Sequence, residues 1–136
     1  MKQDITSVEK VQRKFTKRLP GYRNCSYLER RRNLNLTTLE LRRLHADLVM
    51  CYKIVSNIVK LELSDFFCFF NTFTTRGHPY KLYVSRASAN VRRYFFAHRV
   101  VKPWNSLPVN AVDFSSLGRF YGSFHRIDFS SFLVVE

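Results

Sequence analysis

From residue 39 to residue 59 apolar side chains recur at steps of three and four: Leu41, Leu44, Leu48, Cys51, Tyr52, Val55 and then Ile58 or Val59. That is the period of an α-helix with one dry face and one wet face. Such a helix spans roughly 30 Å, so the fold must supply an apolar surface of that length. Thr37 with Glu40 three residues on has the capping-box spacing that marks its start. The same spacing occurs at Thr6 with Glu9 and at Ser26 with Glu29. The first pair predicts a helix with Val8, Val11, Phe15 and Leu19 on its buried face, stopped by Pro20-Gly21. The second predicts a short helix through Arg32, with Asn33 and Asn35 as terminators. Residues 1–60 therefore read as a basic helical segment of three helices.

Residues 61–136 read as an aromatic-rich α+β segment, continuous with the first as one unit. Five phenylalanines (Phe66, Phe67, Phe69, Phe70 and Phe73) fall within residues 63–73. A loop is expected over 72–77. His78-Pro79 then starts an extended piece, because the residue before a proline is pushed out of the helical region. Tyr80, Leu82 and Val84 alternate with Lys81, Tyr83 and Ser85, the period of a strand. Residues 91–96 read either as the second strand of that hairpin or as the start of a helix running to Trp104, with Pro103 tolerated near its end. A weak helical pattern follows over 114–127, softened by Gly118 and Gly122. The apolar tail 129–135 needs a surface to pack on. The expected fold class is mainly α, a small helical domain with a minor β-hairpin in its second half.

Charge sets the function classes. The chain has 23 Lys+Arg against 10 Asp+Glu, a net +13. Residues 1–60 hold 14 basic and 5 acidic side chains, and residues 61–136 hold 9 and 5. This pattern suggests a polyanionic partner and excludes an acidic cation buffer. Leu48 to Tyr52 and Phe66 to Phe70 are the longest apolar runs, far below the ~20 residues of a membrane span, so no membrane partner is expected. The charged residues 1–19 do not read as a secretory signal. Cys25, Cys51 and Cys68 are odd in number and widely spaced, which reads as reduced intracellular thiols.

Catalytic signatures are thin. Gly21, Gly77, Gly118 and Gly122 form no phosphate-binding loop, and no small-molecule ligand or cofactor is indicated. The cysteines and the histidines (His45, His78, His98, His125) lack the short spacings of zinc sites. Cys51 lies on the apolar stripe and reads as core. Glu62 and Asp65 are the nearest thing to paired carboxylates outside a cap, and they read as a turn terminus. No metal site and no catalytic residue are expected.

The basic residues remain. Lys10, Arg13, Lys14, Lys17 and Arg18 fall on the polar side of the first helix. Arg30, Arg31 and Arg32 end the second, Arg42 and Arg43 begin the third, and Arg92 and Arg93 precede Tyr94, Phe95 and Phe96. Arginine outnumbers lysine 15 to 8, which suits forked contacts to phosphate oxygens. These twelve side chains are the candidate contacts to an RNA or DNA phosphate backbone. The alternative reading is a solvated basic face.

Several stretches occur in a familiar order. They are residues 9–21 (EKVQRKFTKRLPG), 26–30 (SYLER), 39–48 (LELRRLHADL) with 51–54 (CYKI), and 76–83 (RGHPYKLY). Phe95-Phe96, Arg99-Val100-Val101 and residues 103–108 (PWNSLP) follow. Together they resemble the C-terminal, post-thumb region of reverse transcriptases of non-LTR (LINE-type, jockey-like) retrotransposons, over about residues 4–130. Asn35 departs from the pattern, standing where the family commonly has glycine. Residues 118–125 match the family's final basic helix loosely.

The resemblance implies a piece whose polymerase palm, with its aromatic-x-Asp-Asp site, belongs upstream. This sequence contains no adjacent Asp-Asp, so the expectation is a non-enzyme. Its partners would be nucleic acid and the missing upstream polymerase domains, in a nuclear or cytoplasmic setting. Two other readings are a free-standing basic nucleic-acid-binding module and a non-catalytic protein-interaction fragment. In the latter, exposed residues 66–73 and the tail 129–135 would mark the docking surface.

Overall fold

A computed structural model describes residues 2–69, 77–84 and 91–133, with backbone alone at 2 and 91–94. Among these residues there are five α-helices: α1 (Lys2–Lys17), α2 (Tyr27–Asn33), α3 (Leu39–Val55), α4 (Val91–Asn105) and α5 (Leu117–Gly122). Two short strands, β1 (Phe67–Phe69) and β2 (Leu82–Val84), pair antiparallel. The protein is thus mainly helical with a minor two-stranded sheet. Residues 72–76 of the loop expected over 72–77, together with Phe70, Phe73 and the tail end 134–136, lie outside the described residues. The backbone forms two compact units, Met1–Arg43 with Ser130–Glu136, and Leu44–Phe129.

In the first unit α1 begins at Lys2, ahead of Thr6, so Thr6 and Glu9 form no cap at its start. Glu9 is buried at 2% exposure. Its carboxylate accepts from the Tyr27 hydroxyl of α2 and, at 2.9 Å, from the Leu39 N–H that opens α3. A side chain of α1 therefore caps α3 from 30 residues away. Thr38 adds the local cap, its Oγ1 accepting from Leu41 N–H at 3.2 Å, one residue beyond the expected Thr37. Gln12 donates to the Tyr27 hydroxyl at 2.9 Å and to the Thr37 carbonyl at 3.1 Å.

The inward face of α1 is therefore Glu9, Gln12 and Thr16. Val8, Val11 and Phe15, the expected buried face, are turned out at 54%, 66% and 64% exposure. The physical reason is that α2 and the start of α3 present polar groups needing partners, and a polar helix face satisfies them where an apolar one would strand them.

Helix α2 has the complete capping box its sequence predicts. Ser26 Oγ accepts from Glu29 N–H at 3.2 Å, and the Glu29 carboxylate accepts from Ser26 N–H at 2.7 Å. It ends at Asn33 and is stopped by Asn35, whose φ of +52° is left-handed. Leu36 N–H reaches back to the Arg31 carbonyl (2.8 Å) and Asn35 N–H to that of Arg32 (3.2 Å). This is the Schellman arrangement, with asparagine filling the usual glycine position. Asn57 (φ +56°) repeats it after α3, with Ile58 N–H on the Lys53 carbonyl and Asn57 N–H on that of Ile54. That stop ends α3 at Val55 and leaves Ile58 exposed, so the helix is shorter than the 39–59 stripe suggested.

In the second unit Leu48, Cys51, Tyr52 and Ile54 of α3 are buried. Residues 91–96 belong to α4, not to a strand. The partner of β2 comes instead from the aromatic run, in the register Phe67↔Val84, Cys68↔Tyr83, Phe69↔Leu82. Phe66 and Phe67 are core residues at 6% and 1% exposure, so this end of the aromatic run is not a docking surface.

The C-terminal end of α4 anchors the extended segment. Trp104 Nε1 donates to the Tyr80 carbonyl at 2.8 Å. The Asn105 side-chain amide takes Leu82 N–H (2.8 Å) and gives to the Leu82 carbonyl (2.7 Å). Trp104 packs on Phe114 and Phe120, and Tyr52 stacks on Phe120 with centroids 4.6 Å apart. Arg99 of α4 grips Asp47 of α3 through two bonds, 2.6 and 2.9 Å.

Two histidines are built into this core as neutral groups. His78, 1% exposed, accepts Tyr80 N–H on Nδ1 at 3.1 Å, so its proton sits on Nε2 and faces the Trp104 carbonyl at 2.8 Å. His45 lies against Phe124 and Phe129, at 4.9 and 5.3 Å between centroids, with a buried, unpartnered Nε2. Burial holds both pKa values below the ordinary histidine value. Lys81 adds to the effect on His78, against the opposing pull of the Trp104 carbonyl, and His125 adds to it on His45.

The folded state thus binds these protons less readily than the unfolded chain. Its stability falls as pH drops below about 6.5 and toward the folded-state values. The urea midpoint should be lower near pH ~5.5 than near ~7.5. His45→Phe should narrow that gap, and a gap unchanged by it would remove His45 from the account. In the first unit, Glu9→Ala strands two donors and should cost about 2–3 kcal/mol by urea unfolding, against about 1 for Tyr27→Phe.

Candidate nucleic-acid interface

At 100° per residue, Lys10, Lys14 and Lys17 fall within one arc of about 60° on α1, and all three are exposed. Arg18 follows, also exposed, and the chain then turns at Gly21. Its φ of +83° lies in the region glycine enters without a Cβ penalty. Tyr22 N–H closes the turn on the Leu19 carbonyl at 3.2 Å. The turn brings Arg23 back beside the end of the helix, where Lys17, Arg18 and Arg23 line an open concavity of about 530 Å³. Arg23 is missing from the contacts read from the sequence. The available signal was a cation two residues after a Pro-Gly stop, where the chain must still be near the helix end.

Arg32, Arg42 and Arg43 are exposed as expected. Arg13 is exposed too, with its guanidinium 4.8 Å from the centre of the Tyr27 ring. Arg30 is a correction. It is 4% exposed and donates to the Cys25 carbonyl, to Thr16 Oγ1 (3.1 Å) and to the Arg13 carbonyl (3.3 Å), so it ties α2 to α1 and faces no solvent. Three consecutive arginines wind around a helix in 100° steps and cannot all point outward. Arg31 is half-buried, 5.4 Å from the Tyr27 ring, with an unpartnered buried Nε. It lines a groove of about 370 Å³ with Leu28, Leu36 and Leu41 among others. The side chains of Arg92 and Arg93 lie outside the described residues.

No family model, curated protein or solved structure matches this chain. The site is therefore read from its own chemistry.

Two acidic groups of the first unit are turned inward or engaged. Glu9 is buried, and Ser26 N–H and hydroxyl hold the Glu29 carboxyl below its usual pKa. Among the described residues, nine cationic side chains of that unit are exposed: Lys10, Arg13, Lys14, Lys17, Arg18, Arg23, Arg32, Arg42 and Arg43. In the second unit Arg99 is engaged by Asp47, and Arg119 lies 3.6 Å from Asp113.

Nucleophile chemistry finds little here. Cys51 is fully buried, and burial pushes its thiol well above the ordinary value. Among the described residues no three His, Cys, Asp or Glu side chains gather to hold a metal, and no helix is long and apolar enough to cross a membrane.

The two kinds of arginine should separate on substitution. Arg30→Ala removes three buried bonds and leaves the Cys25 carbonyl without its guanidinium donor, and should lower stability by about 2–4 kcal/mol. Arg32→Ala should stay within about 0.5 kcal/mol. Thermal unfolding of both variants checks this, and equal losses would place Arg30 on the surface after all.

Proposed function

We propose that the chain is a non-catalytic, retroelement-derived piece, related to the C-terminal region of non-LTR reverse transcriptases, and that its first unit contacts the phosphate backbone of RNA or DNA. The observation that carries this reading is the sorting of charge. The first unit holds twelve basic and five acidic residues, and the fold buries Glu9 and engages Glu29 in a cap. Lys17, Arg18 and Arg23 around one concavity supply a point charge and two planar forks, the groups that grip phosphate oxygens. Contact of this kind positions a strand without reading its bases. The missing upstream polymerase domains are the second partner the reading implies. A free-standing basic module would present the same surface, and the coding DNA upstream of Met1 separates the two: palm-domain codons there favour descent from a retroelement.

Binding to a labelled RNA or DNA oligonucleotide should fall steeply with salt, with a log–log slope near −0.7 to −0.9 per neutralised phosphate. Replacing Lys17, Arg18 and Arg23 together by alanine should weaken binding on every sequence and flatten the slope by about 2 to 3. Fluorescence anisotropy at two salt concentrations reads both. A salt-independent signal, or none at low salt, would end the proposal.

A further inference from the structure

Helix α1 exposes a second, different surface. Val8, Val11 and Phe15 stand at three- and four-residue steps, more than half exposed each. At 100° per residue they occupy an arc of only about 60°. That is the narrow seam of helix-on-helix packing, not the broad face of a helix lying in a bilayer. Asp4 continues the same seam one step toward the N-terminus and is exposed, a poor group to press onto an anionic lipid surface. Aliphatic valines also offer no stacking platform to bases.

Charge selects among protein occupants. Lys14 flanks the seam directly, Lys10 and Lys17 stand beyond it on the same side, and Arg18 extends it; all are exposed. A second copy would set these cations against their own kind in a unit of net +7. An acidic helix would pair with them.

We infer that the Val8–Val11–Phe15 seam of α1 docks an amphipathic helix of another protein, with leucine-like side chains on the seam and carboxylates beside the lysines. The seam residues are uncharged and are not the proposed phosphate ligands, whereas the flanking lysines are shared with that surface, so the serine variants at the seam separate the two kinds of binding.

The probe is a synthetic peptide of about three heptads with leucine at a and d and glutamate at e and g. It is titrated into the full isotope-labelled chain. Binding should shift the amide resonances of residues 8–15. Val11→Ser and Phe15→Ser should each weaken it at least about ten-fold, and should leave the salt slope of oligonucleotide binding unchanged. Lys14→Glu should weaken the peptide, and a version with lysine at e and g should not bind. Both serine sites are exposed, so their urea midpoints should stay near the parent's, and the resonance map tests the docking site without any variant. No binding, equal binding of a scrambled peptide, shifts confined to other residues, or co-sedimentation with anionic vesicles through the same residues would each overturn the inference.

Discussion

The Glu9 carboxylate is the contact on which the first unit turns. α1, α2 and the start of α3, with little apolar surface between them, need polar links, and one buried carboxyl group supplies two. It takes the Tyr27 hydroxyl from α2 and the first N–H of α3. A carboxylate at a helix N-terminus also meets the positive end of the peptide dipoles. Three arginines stand 4.8 to 5.5 Å from the ring that donates to it. A lone buried anion would be costly. This one has a donor on each oxygen and cationic neighbours around its phenolic partner. The same contact decides the surface, because a unit that internalises an acid shows more of its positive charge to solvent.

The second unit solves its packing differently. There an apolar core of Leu48, Trp104, Val100 and Phe120 is fully buried, and polar bonds act at its rim. Asn105 reproduces a strand partner for Leu82 with one side-chain amide, giving and taking a bond on the same residue. A two-stranded sheet of three-residue strands is marginal alone. The helix end supplies the missing edge. His78 is part of that rim, and its tautomer is fixed by the Tyr80 N–H it accepts, which couples this joint to pH.

Much of this architecture was legible. Helix periods in 2–55, the Ser26–Glu29 box and the Pro20-Gly21 stop follow local rules, and the structure obeys them; the extended piece expected from His78 is a turn at 79–80 and a strand only over Leu82–Val84. The failures share a cause. A Thr-x-x-Glu spacing looks the same whether the glutamate caps its own helix or, like Glu9, one that starts 30 residues later. An amphipathic period names two faces of α1 and cannot say which one meets the neighbouring helices. Ordinarily the apolar face wins. Here the neighbours offered an open helix start, a hydroxyl and a guanidinium, and the polar face answered them. In the site, Arg30 vanished inward because consecutive residues diverge around a helix, and Arg23 emerged because a turn returned it.

Those failures together define what α1 is. A helix has about 360° of surface, and α1 divides it into three sectors. Glu9, Gln12 and Thr16 hold α2 and α3. Lys10, Lys14 and Lys17 form a cationic strip. Val8, Val11 and Phe15 form an apolar one. Only the first sector is required for the fold, since the other two are exposed. Exposed valines and phenylalanine gain nothing from water, and clustered lysines repel one another. Both sectors are therefore higher in free energy uncovered than covered. Because they are adjacent, an amphipathic acidic helix that covers the apolar sector also reaches the lysines beside it, and there it competes with a polyanion for the same charges.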